Sequence, residues 1–217
     1  MGTAGLVFGL ALSNPSLASA RVPSPDIRDG VGMSGASQVL AWITETSDNQ
    51  GLPFLVVDKD NAEVMAFDHE GRLLGSAPVL LGLARGDVSP LGIGDRALVD
   101  IGPEDRITPA GRFMASMGEN LGGKGILWID YGAALSLHPV VTARVSDRRL
   151  QRLSTESVQD NRISYGCVNV PVKFYKDVVE PAFNGTTGIV YILPEVLSLA
   201  DVFSWAPDGV APAEGDE

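Results

Sequence analysis

The sequence predicts a mainly β domain with a few short helices. Short apolar or alternating runs, split by clusters of Asp, Asn and Gly, recur from Phe54 to Leu193, whereas helical spacing of apolar residues is confined to three brief segments. The 217 residues are 45% apolar and 20% charged, enough to build a core without covalent staples.

The elements follow in chain order. Leu6 to Leu12 is an apolar run too short to span a bilayer, and Ala18-Ser19-Ala20 before Arg21 has the small-residue form of a cleavage site. Residues 1–20 are therefore expected to be a signal peptide, although no Lys or Arg precedes the apolar run. Residues 21–53 are a linker and a short helix: Arg21 to Gly35 is rich in Pro, Gly and Ser, and Ala36 to Ser47 places Val39, Leu40, Trp42 and Ile43 at helical spacing. Phe54 to Asp58, Ala62 to Phe67 and Arg72 to Leu81 form an expected three-stranded meander, with turns at Asp58-Lys59-Asp60-Asn61 and Asp68-His69-Glu70-Gly71. His69 is expected to be solvated in its turn.

Gly82 to Gly94 and Gly118 to Gly125 lack the Gly-Lys-Ser/Thr ending of a phosphate-cradling loop and are expected to be connections. Ile126 to Tyr131 and Ala134 to His138 make a strand pair around Gly132, which sets His138 at a strand end. Ser146 to Leu153 is an expected helix capped by Ser146, with Leu150 and Leu153 inward. Val168 to Val170 is a strand, Val172 to Val179 a helix, and Gly188 to Leu193 a closing strand. Residues 194–217 are a C-terminal extension with an acidic tail, expected to be disordered.

Charge and residue counts exclude several function classes. The net charge of −11 argues against a nucleic-acid binder, which draws affinity from basic patches. One cysteine excludes an intramolecular disulfide, a Cys-x-x-Cys redox pair and a Cys-rich zinc site; no metal and no cofactor is expected.

Chemistry concentrates in Ile163-Ser164-Tyr165-Gly166-Cys167-Val168-Asn169. A thiolate attacks an acyl carbon well once an imidazole takes its proton or lowers its pKa. The two histidines leave His138 or His69 for that task, and His138 stands at the end of an apolar strand. Gly166 allows close backbone approach, and neighbouring N–H groups, including its own, can face a developing oxyanion. On these residues alone, a buried cysteine acting as a small core hydrophobe is an equal alternative.

The order Thr108-Pro109-Ala110-Gly111-Arg112-Phe113, Leu137-His138, then Ser164-Tyr165-Gly166-Cys167-Val168-Asn169 resembles the L,D-transpeptidase catalytic domain, also called YkuD-like, over residues 54–193. The resemblance implies a curved β-sandwich with a few short helices, found in exported bacterial envelope proteins that act on peptidoglycan stem peptides. It implies that Cys167 is the nucleophile, His138 its base, and Gly166 part of a backbone oxyanion hole. Ser164, Tyr165, Asn169 and Arg162 are then expected around the substrate. Arg162 is nearest the motif in a basic cluster with Arg144, Arg148, Arg149 and Arg152, and is expected to clamp a donor carboxylate. Two features depart from the pattern: Tyr165 replaces the motif histidine, and a helical segment is inserted between His138 and Cys167.

The expected function is an exported, periplasmic or envelope-bound cysteine acyl-transferase, crosslinking stem peptides or hydrolysing them through a thioester. No integral membrane segment is expected after signal removal. The alternative is a non-catalytic envelope binding or scaffolding protein that retains the fold.

Overall fold

The computed structural model describes Met1 and residues 34–203. The expected signal peptide, most of the linker and the acidic tail lie outside the described residues. Helix α1 (Gly35–Thr46) precedes β1 (Phe54–Asp58), β2 (Glu63–Phe67), β3 (Leu73–Pro78) and the two-residue β4 (Leu81–Gly82). A loop with three 3-10 turns leads to β5 (Gly111–Glu119), β6 (Gly125–Asp130) and β7 (Leu135–Pro139). The one-turn α2 (Arg149–Arg152) is followed by β8 (Arg162–Ser164) and β9 (Val168–Val170). Then come α3 (Val172–Phe174), a π turn (Tyr175–Val179), α4 (Glu180–Phe183), β10 (Thr187–Ile192) and α5 (Leu199–Val202).

Eight strands form one sheet in the order β3-β2-β1-β10-β5-β6-β7-β9, while β4 and β8 pair separately in parallel. The large sheet curls until its ends meet. Beyond β3, Leu80 donates its N–H to the Asn169 carbonyl at 2.8 Å and accepts the Asn169 N–H at 2.9 Å. Its concave side encloses a core drawn from both ends, including Val64 and Ala77 at one and Val168 and Val170 at the other. The mainly β, curved expectation describes this architecture.

The central strands are buried on both faces, which is why Phe54-Leu55-Val56-Val57 runs apolar without alternation. Leu55 and Val57 point into the main core. Phe54 and Val56 point outward into a second cluster, where α1 covers them with Ala36, Val39 and Ile43 and the C-terminal segment adds Phe203. Burial of Val39 and Ile43 contributes about 1.5–3 kcal/mol each. Arg112 fastens the end of α1 by donating to the Asp48 carboxylate at 2.6 Å and to its carbonyl at 2.8 Å. Residues on either side of 54–193 therefore pack into the same body.

Several expectations change. Residues 187–192 do not close the sheet; β10 lies at its centre, between β1 and β5. The longest strand, β5, begins inside the Thr-Pro-Ala-Gly-Arg-Phe segment and had no strand expectation, because its glycines and small residues blur the alternation. The run from Arg72 divides after Pro78, and Leu81-Gly82 turns away to pair with β8. Residues 146–153 are not one helix capped by Ser146. Arg148 takes a positive φ of 49°, so α2 begins only at Arg149, leaving Leu150 exposed and Leu153 buried. The helix after Pro171 continues to Phe183 through its π turn. His69 is exposed beside Glu70, as expected of its turn.

A buried ionic cluster ties the loops to this sheet. Lys59, 1% exposed, donates to Asp87 at 2.6 Å, to the Gly86 carbonyl at 2.6 Å and to the Thr108 carbonyl at 2.8 Å. Asp87 also accepts the N–H groups of Glu195, Val196 and Leu197, and Glu195 receives Arg162. Burial pulls the Lys59 ammonium below its ordinary pKa, with Asp87 and Glu195 opposing. Burial pushes the Asp87 carboxyl up, but Lys59 and the three N–H groups outweigh it and hold it below the usual range. Lys59→Met should leave those carboxylates without their buried partner and cost about 3–5 kcal/mol in urea unfolding. The Asp87 contribution should be present above about pH 4, the unfolded value, and fade as pH falls through the lower folded value.

Candidate active site

The site grows from one strand pair. β7 and β9 run parallel with Leu137 opposite Val168 and His138 opposite Asn169. Side chains alternate along each strand, so Leu135, Leu137, Val168 and Val170 enter the core while Ser136, His138, Cys167 and Asn169 share the other face. Cys167 and His138, far apart in sequence, are thereby brought together.

His138 is oriented by hydrogen bonds on both ring nitrogens. Nδ1 lies 2.8 Å from the Pro139 carbonyl, and Nε2 lies 3.3 Å from Asn169 Nδ2. The Asn169 amide is itself set, because Arg149 can only donate and places Nη1 2.7 Å from Asn169 Oδ1. Asn169 Nδ2 thus faces the ring as a donor. In the neutral imidazole the proton sits on Nδ1, donated to Pro139, and Nε2 is left as the base.

The sulfur has polar company too. Cys167 Sγ lies 3.5 Å from Ser136 Oγ and 3.5 Å from the Ala134 carbonyl. Burial pushes the thiol up, but His138 and then the Ser136 hydroxyl and N–H outweigh it, and the pKa falls below its ordinary value. Burial likewise depresses the His138 imidazole, while Cys167 and the Pro139 carbonyl overcome that and raise it; the Arg149 charge acts against them. Each group thus shifts the other toward its charged form.

The loop that presents Cys167 is held by Thr108 and Ser164. Thr108 Oγ1 donates to the Gly166 carbonyl at 2.6 Å and accepts the Gly82 N–H at 2.8 Å, while its own carbonyl receives Lys59. Gly166 has φ +132°, and a Cβ there would lie 2.8 Å from the Ile107 carbonyl oxygen, so only glycine fits. Ser164 Oγ donates to the Cys167 carbonyl at 2.7 Å and accepts the Gly166 N–H at 3.1 Å.

Those bonds alter several expected roles. The Gly166 N–H is committed to Ser164 and is not aimed at an oxyanion. Ser164, 3% exposed, shapes the loop, and Asn169, 1% exposed, orients the imidazole; neither lies open to a substrate. Arg162 is not brought to the site, because its guanidinium pairs with Glu195 at 2.5 Å and donates to the Lys59 carbonyl. Its place in the basic cluster is taken by Arg149, which the sequence presents only as part of a helix face. Tyr165 lies under Arg106, whose Cζ is 4.1 Å from the ring centre. Ser136 was unmarked, yet it stands two residues before His138 on a strand legible in sequence, and the period of two places it beside that histidine.

No family model and no curated protein matches this chain. Among solved structures, the L,D-transpeptidase of Xylanimonas cellulosilytica (residues 123–326) is similar over 65% of this chain and 60% of its own, at 16% identity and a TM-score of 0.36. The LD transpeptidase LdtMt1, solved in complex with imipenem, is similar over 65% of this chain and 58% of its own, at 12% identity and a TM-score of 0.35. Bd1075 of Bdellovibrio bacteriovorus is similar over 71% of this chain and 53% of its own, at 15% identity and a TM-score of 0.34. The chain thus spans three-fifths or less of the length of each. No helix among the described residues is long and apolar enough to cross a membrane.

The thiol–imidazole coupling predicts a pH profile. Alkylation of Cys167 by iodoacetamide should show an inflection below the ordinary thiol value of about 8.5, because only the thiolate reacts. Reactivity should be lost as pH falls through that inflection. His138→Ala removes the main force opposing burial and should move the inflection upward; Ser136→Ala should move it the same way by less. An inflection indifferent to His138→Ala would separate the two groups chemically.

Proposed function

We propose that the protein is an exported cysteine acyl-transferase of the bacterial envelope that acts on peptidoglycan stem peptides. The observation that carries the reading is the outward-facing constellation of Cys167 and His138, with the imidazole fixed by the Pro139 carbonyl and its Nε2 left as base. A structural cysteine needs no oriented imidazole and no Ser136 hydroxyl at its sulfur. The sequence motif supplies the substrate class.

In the reaction, the Cys167 proton passes to His138 Nε2 and the sulfur attacks the carbonyl at the L-centre of the diamino acid in a stem tetrapeptide. The new S–C bond gives a tetrahedral oxyanion, which hydrogen-bond donors at the site would stabilise. Collapse breaks the C–N bond, and His138 returns its proton to the departing D-alanine amine. The thioester is then resolved by an amine of another stem, which forms a crosslink, or by water, which gives hydrolysis. Tyr165 takes no part in proton transfer, because a phenol with a pKa of about 10 is a poor base near neutrality.

Imipenem should add covalently to the wild-type protein at one site, read by intact-protein mass spectrometry, and Cys167→Ala should abolish both the adduct and turnover of a tetrapeptide muropeptide. His138→Ala should lower the rate by about a hundredfold or more, whereas Tyr165→Phe should cost little. Turnover retained by Cys167→Ala would overturn the assignment. A wild-type protein that forms no adduct and turns over no muropeptide would favour the scaffolding alternative.

A further inference from the structure

Arg106 is a half-buried cation with no carboxylate partner, in an acidic protein, at the edge of the nucleophile loop. Its Nε and Nη2 both donate to the Ile101 carbonyl, at 3.1 and 3.0 Å, and its plane lies over the Tyr165 ring. Those contacts leave both Nη1 protons and one Nη2 proton, the end-on fork of the guanidinium, without a protein acceptor among the described residues. The backbone fixes it close to the nucleophile loop: the next residue, Ile107, lies against Gly166, and Thr108 is bonded to the Gly166 carbonyl.

Three arginines of the neighbouring basic cluster are engaged. Arg149 bonds Asp147 and Asn169, Arg152 bonds the Asp147 and Asp160 carbonyls, and Arg162 bonds Glu195. Removing a guanidinium from part of its water while giving it no counter-charge is costly unless an anion arrives. A planar fork with two adjacent N–H donors matches a carboxylate.

We propose that Arg106, seated on Tyr165, is a carboxylate-binding subsite that selects donors ending in a free α-carboxylate. The inference rests on Cys167 being the nucleophile of the proposed reaction and adds which side chain holds the leaving residue. The carboxylate it would hold is that of the departing D-alanine. A stem whose terminal carboxyl is already tied in an amide lacks a free carboxylate at that place. Tyr165 in the motif then has a purpose: its flat ring is the platform on which the guanidinium rests.

The test separates the subsite from turnover. Cys167 is alkylated with iodoacetate, which carries a carboxylate, and with neutral iodoacetamide, and the ratio of the two rates is compared between proteins. Arg106→Gln should lower the iodoacetate-to-iodoacetamide ratio by about fivefold or more, Arg106→Lys by less, and Tyr165→Phe, which keeps the ring, should preserve it. Tyr165→Leu should lower it. A ratio the same within about twofold in wild type and Arg106→Gln overturns the subsite, whatever the enzyme's turnover. With tetrapeptides, wild type should prefer the C-terminal acid over the amide, and Arg106→Gln should lose that preference. A ratio that responds to Arg106 in a protein that processes neither peptide would keep the carboxylate subsite and remove the acyl-transfer reading.

Discussion

The parallel pairing of β7 with β9 is the constraint on which the rest of the site depends. A register with His138 opposite Asn169 makes one face of the pair apolar and the other chemical. A slip of one residue in either strand would send that strand's polar side chains into the core and its leucines or valines into the site. The same four apolar residues that stabilise the curled sheet therefore also hold the distance between thiol and imidazole. The packing and the thiol–imidazole pair draw on one geometric fact.

The loop that presents Cys167 needs more than the sheet, because Cys167 lies just before β9 and Gly166 adopts a backbone conformation that other residues resist. Thr108 links this loop to the ionic cluster around Lys59. Such a cluster adds little net stability over apolar packing, since burying charge offsets much of the attraction. Its value lies in direction: the ammonium joins the 86–87 loop to the Thr108 carbonyl, and Asp87 holds the backbone of residues 195–197. Three remote segments are thereby fixed against the back of the loop that presents the sulfur.

Much of this was legible in sequence, for physical reasons. The meander from Phe54, the strand ending at His138 and the strand after Cys167 announce themselves because apolar runs are punctuated by residues suited to turns. Cys167 and His138 could be paired from chemistry, with a motif to support them. Partners set by folding were hidden. Arg162 stands near the motif in sequence but turns to Glu195, a partner thirty-three residues away; Arg149 and Arg106 reach the site only because α2 and the 106–108 segment fold against it. The Gly166 N–H looked available until Ser164 accepted it. β5 was missed because Gly111, Ala115 and Gly118 weaken the alternation, and the central place of β10 cannot be read from its position late in the chain.

The central claim is that one register makes the Cys167 thiol and the His138 imidazole a coupled pair, and nitrogen-15 NMR of the histidine rings tests it most directly. In wild type, His138 should titrate above the ordinary imidazole value of about 6.5 and carry its proton on Nδ1 when neutral. In Cys167→Ser, without a thiolate to favour the charged ring, burial should dominate and its pKa should fall. A His138 that titrates identically in both proteins would contradict the account.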